Sequence, residues 1–135
     1  MISCHARRLP IVGLLVALAL VGCGSGDRER ETPTDQVRRA ASAYLRALQD
    51  AEWARACRLM TASARQDIED AGGASCARAL AGGAALPADE LAAAGREVAG
   101  AQVRVRGKAA TIGPLGALPQ PLRLERTADG WLVAG

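Results

Sequence analysis

Histidine is missing from this chain beyond its first few residues, since His5 is the only one. Phenylalanine is missing altogether, and the aromatics are Tyr44, Trp53 and Trp131. Each absence excludes a chemistry. Without a histidine past His5, Ser-His-Asp and Cys-His catalysis has no base in the folded part of the chain. A zinc centre needs about four ligands, and thiols alone do not supply them here. The four cysteines (Cys4, Cys23, Cys57, Cys76) contain no Cys-x-x-Cys pair of the dithiol redox kind. The glycine pairs at 72–73 and 82–83 lack the Gly-Lys-Ser/Thr or Gly-x-Gly-x-x-Gly setting of a phosphate loop. No metal and no cofactor is expected.

An excess of one charge is also lacking. The chain has 17 basic and 14 acidic residues, net +3. Without Arg7 and Arg8 the balance is 15 against 14. The remaining basic residues read as dispersed, and nucleic acid is not an expected partner. Large apolar side chains are scarce and alanine is abundant. Burial is worth roughly 25 cal/mol per Å², so an alanine-rich core gains little per residue and benefits from a covalent staple.

What is present begins with an address. Arg7 and Arg8 are followed by an uncharged run from Leu9 to Val21. As a helix this run spans roughly 20 Å, too short for a hydrocarbon core of about 30 Å, so it reads as an export signal. Pro10 sits where a twin-arginine signal prefers an apolar residue, which favours the general secretory route. Leu20-Val21-Gly22-Cys23 then resembles the lipobox of bacterial lipoproteins. The resemblance implies a signal peptide over 1–22, cleavage between Gly22 and Cys23, and a diacylglyceryl group on the Cys23 thiol. Two or more acyl chains hold a protein stably on a bilayer, since each buried CH₂ contributes roughly 0.8 kcal/mol. The expected location is therefore the outer face of a cell membrane. Residues 23–34, with Gly24-Ser25-Gly26 and the alternating charges of 27–31, read as the lipidated cysteine and its tether.

In that oxidising compartment Cys4 leaves with the signal and Cys23 carries lipid. Cys57 and Cys76 remain, and such a pair most often forms a disulfide, worth roughly 3 kcal/mol by the loop-entropy model. A free buried thiol pair, or a metal or redox site, are the alternatives.

Residues 35–135 read as one domain. Thr32-Pro33-Thr34-Asp35 is a helix start, with Thr32 as cap, Pro33 in the first turn and Asp35 returning the bond. Apolar positions at Val37, Ala40, Ala41, Tyr44, Leu45 and Leu48 have helical spacing. Shorter helices follow: Trp53, Ala56, Cys57 and Met60; then 62–70, burying Ala64, Ile68 and Ala71; then a turn capped by Ser75 carrying Cys76 and Leu80. A last one begins near Leu86 and stops at Gly95. From Val98 the period changes to two. Val98, Ala101, Val103 and Val105 alternate with polar residues as a half-buried strand. Ala109–Ile112 returns, and Leu122 with Leu124, then Trp131 to Val133, complete an antiparallel meander. Helices followed by a meander make an α+β fold with the helices on one face of the sheet.

The segments Trp53-x-x-Ala56-Cys57, Leu59-Met60-Thr61, Val103-x-Val105-x-Gly107 and Gly130-Trp131-x-Val133 carry a further resemblance. In this order, behind a lipoprotein tether, they resemble actinobacterial lipoproteins of the nuclear transport factor 2-like superfamily. That superfamily shares a cone-shaped α+β fold with ketosteroid isomerase and the polyketide cyclases. The resemblance implies helices closing over a curved sheet, here a reduced one. It also implies a candidate apolar pocket lined by Tyr44, Leu48, Trp53, Val103, Leu124 and Trp131. The alternative for each of the six is plain core packing.

Three functions follow as expectations. The first is a non-catalytic extracytoplasmic module for a small apolar ligand or a cell-envelope partner, marked by a cavity. The second is a purely structural or interaction lipoprotein without one, marked by an exposed apolar patch on the outer sheet face. The third is a cyclase- or isomerase-like enzyme, which needs a buried carboxylate or Tyr44 with a shifted pKa. The acids Asp67, Glu69 and Asp70 read as a solvated helix face. Asp50 and Glu52 at a helix junction are mild candidates, and no catalytic residue is assigned.

Overall fold

The computed structural model describes residues 30–135. The segment 1–22 expected to be a signal peptide, and the positions Gly22 and Cys23 expected for cleavage and lipidation, lie outside the described residues.

Helix α1 (Pro33–Gln49) starts where the capping residues place it. The Thr32 hydroxyl accepts the Asp35 N–H at 3.2 Å and lies 2.6 Å from the Asp35 carboxylate, to which it donates. The return bond thus runs between the two side chains. Val37, Ala41, Tyr44, Leu45, Ala47 and Leu48 form the buried stripe. The helix ends with Ala51 in the left-handed region (φ 56°), so that the Glu52 N–H reaches back to the Ala47 carbonyl at 2.8 Å.

Helices α2 (Trp53–Arg58), α3 (Ala62–Gly72) and α4 (Cys76–Ala79) follow, the last running into a π-helical turn over Leu80–Ala84. Thr61 caps α3 by accepting the Ala64 N–H at 3.2 Å. Ala64 is the only buried residue of α3; Ile68 is half-buried and Ala71 is exposed, against the sequence expectation for Ala71. Ser75 makes no side-chain cap. The carboxylate of Glu69 on α3 accepts the Cys76 N–H at 3.0 Å in its place. A Cβ on Gly72 would stand 2.7 Å from that of Ala79, so α3 and α4 touch closely there.

Helix α5 (Ala88–Glu97) runs through Gly95, which does not stop it. Val98 closes the helix and is buried, so the first strand starts later than its alternation suggests. The sheet has four antiparallel strands in sequence order: β1 (Val103–Arg106), β2 (Ala109–Ile112), β3 (Leu122–Thr127) and β4 (Gly130–Val133). The fold is α+β with an open sheet.

Register sorts the side chains onto two faces. Val103 pairs with Ile112 and Ile112 with Leu122; Val105 pairs with Ala110, Ala110 with Leu124, and Leu124 with Val133. These residues face α1, and the buried ones join Leu91, Ala94 and Val98 in one core. Leu115, fully buried in the β2–β3 loop, completes it. On the β4 side the sheet is extended by one bridge. The Val133 N–H donates to the Leu59 carbonyl, and the Thr61 N–H donates to the Val133 carbonyl, each at 2.8 Å.

Candidate functional site

Cys57, in the last turn of α2, and Cys76, the first residue of α4, are joined as a disulfide with Cα atoms 6.1 Å apart. Both are buried. Of the readings open at the sequence level, this is the disulfide, and its role is to tie α2 to α4 across α3.

The six residues of the expected pocket fall in two groups. Tyr44, Leu48, Leu124 and Trp131 are buried in the core. Trp53 and Val103 are half-buried and pack against its margin. The best-formed recesses among the described residues are open surface grooves, and none brings more than one of the six together. Trp53 borders one at the α1–α2 junction and Leu124 another on the sheet. An apolar groove of about 400 Å³ lies at one end of the sheet, along Leu118, Pro119, Pro121 and Leu122.

Three of the five acids considered from the sequence are committed to local structure. Glu52 pairs with Arg55 at 2.7 Å, Asp70 accepts from Gln66 at 2.8 Å, and Glu69 holds the Cys76 N–H. Asp50 and Asp67 are exposed. Burial pushes the Tyr44 phenol above its ordinary value, so it keeps its proton at neutral pH.

The outer face of the sheet is where charge gathers. Arg104, Thr111 and Arg123 stand in register across β1, β2 and β3; Arg106, Ala109, Glu125 and Leu132 form the next row. Lys108 sits in the β1–β2 turn beside them. Arg104, Arg106, Lys108 and Arg123 are all exposed, and none forms an ion pair among the described residues. Glu125 is the one acidic side chain of the two rows. The short Ala109, Thr111 and Ala134 leave two adjoining shallow troughs between the long basic side chains, of about 350 and 450 Å³. One sequence reading is thereby corrected. The basic residues are not all dispersed, because the outer face of the meander collects four of them. That face does not carry the apolar patch given as the mark of a purely structural or interaction lipoprotein. The signal lay in Val-Arg-Val-Arg itself, but it needs the strand register to bring Arg123 alongside Arg104.

No family model, curated protein or solved structure matches the chain.

Proposed function

We propose that this protein is an extracytoplasmic lipoprotein, held on the outer face of the membrane by acyl chains on Cys23, whose domain is a reduced nuclear transport factor 2-like cone. It is non-catalytic and works through its surface on a cell-envelope partner. The observation that carries the surface reading is the placement of Tyr44, Leu48, Leu124 and Trp131 in the packed core, with the outer sheet face left uncovered by the described residues. Of the acids that an isomerase-like mechanism would draw on, Glu52, Glu69 and Asp70 are held in local bonds, and Asp50 and Asp67 lie exposed on the surface. A second reading, a small apolar ligand, is favoured by the groove along Leu118, Pro119, Pro121 and Leu122.

The test is the intact mass of the protein isolated from its membrane, before and after reduction and alkylation. The expected species begins at Cys23, carries acyl mass, and yields two thiols only on reduction. A chain of unmodified mass in the medium overturns the anchor.

A further inference from the structure

We propose that the basic outer face of the sheet lies on the membrane itself and binds the phosphates of anionic lipid headgroups, a proposal that rests on the Cys23 anchor. Three observations lead there. The first is charge: Arg104, Arg106, Lys108 and Arg123 share a face with the carboxylate of Glu125, and Asp129 in the β3–β4 turn adds one more acid at its far end. The second is shape. Arg104 and Arg123 stand two strands apart, about 10 Å between backbones, with the small hydroxyl residue Thr111 between them. The Arg104 guanidinium rests on the Gln102 side chain at 3.3 Å and that of Arg123 lies beside Gly135; turned toward Thr111, the two forks would offer a phosphate paired N–H bonds, with one O–H bond from the threonine. The floor of the troughs is Ala109, Ala110 and Thr111, so a headgroup meets no bulky side chain there.

The third observation is where the tether leaves the domain. The Arg38 guanidinium, one turn into α1, donates to the Ala101 carbonyl at 3.2 Å. The start of α1 therefore lies against the segment entering β1, the edge strand that carries Arg104 and Arg106. Nine residues, or ten Cα–Cα steps, separate Cys23 from Pro33, a reach of at most about 35 Å. A domain of about 100 residues has a radius of gyration near 13 Å. The anchor thus keeps the basic edge within about one domain diameter of the headgroups. Attraction to an anionic surface acts over about a Debye length, some 8 Å at physiological salt, so it captures the face when the tethered domain turns it toward the headgroups.

The experiment is arginine footprinting. The full lipidated protein is reconstituted into neutral phosphatidylcholine vesicles, or into the same vesicles with a third phosphatidylglycerol, and treated with phenylglyoxal. Modification is then mapped by mass spectrometry. On anionic vesicles Arg104, Arg106 and Arg123 are expected to react about fivefold more slowly than on neutral ones, with Arg78 and Arg96 on the helical side unchanged, and the difference is lost at high salt. Equal reactivity on the two vesicles overturns the proposal. So does equal protection by inorganic phosphate without vesicles, which marks a site for free anions. Intact mass of the same sample reports the acyl group separately. A chain without lipid whose arginines are still protected by added anionic vesicles removes the anchor and keeps the face.

Discussion

Helices α1 and α3 show two ways of holding a helix in one small domain. Helix α1 buries six residues, three of them Tyr44, Leu45 and Leu48, against the sheet and α5. Helix α3 buries only Ala64. Its place is set by polar and covalent devices: the Thr61 cap, the Glu69 bond to the Cys76 N–H, the close contact at Gly72, and the disulfide that spans it. Where large apolar side chains are available, area does the work. Where the chain supplies alanine and glycine, a cross-link limits the unfolded ensemble instead.

The comparison breaks if α1 is not the stronger element. Leu45→Ala, at a position 2 % exposed, is expected to cost about 4 kcal/mol through lost burial and a residual cavity. The loss should appear as a lower denaturant midpoint with an unchanged slope, because the core it weakens is common to the whole domain. The double substitution Cys57→Ser with Cys76→Ser is expected to cost about 3 kcal/mol. Its signature is local. In hydrogen exchange the amides of α3 and α4 should lose protection first, while those of β2 and β3 keep theirs. Uniform loss across the sheet would show that the bridge supports the whole core and not the α3 region alone.

The same contrast explains what was legible in the sequence. Helix α1 and the four strands have long or strictly alternating patterns, and burial follows those patterns closely. The cap at Thr32 was readable because its partner, Asp35, lies three residues away. The cap at Cys76 was not, because its acceptor Glu69 comes from another helix and only the packing of α3 on α4 brings it there. Gly95 misled because glycine in open space weakens a helix without ending it when Leu91, Ala94 and Val98 are buried on the other side of it. The burial of Leu115 in the β2–β3 loop has no sequence signal, because no period marks a single residue that turns inward. The basic face failed to appear for a related reason. Composition counts charges, but only register places Arg123 beside Thr111 and Arg104.

Tyr44 gives the smallest expected effect and the most direct reading of the α1 stripe. Its phenol is raised above the ordinary tyrosine value by burial. In the unfolded chain it ionises near pH 10. The folded state therefore holds the proton more tightly, and the unfolded state gains stability once it can release it. Stability from this group is intact below about pH 10 and falls as pH rises further. Tyr44→Phe removes the titration and keeps the ring. Melting temperatures followed from pH 8 to 11 should diverge, with the native protein falling more steeply than the variant above about pH 10. Parallel curves would mean that the phenol is already solvated in the folded state. A solvated phenol would reach outside the core, and Tyr44 would return as a group able to meet a substrate.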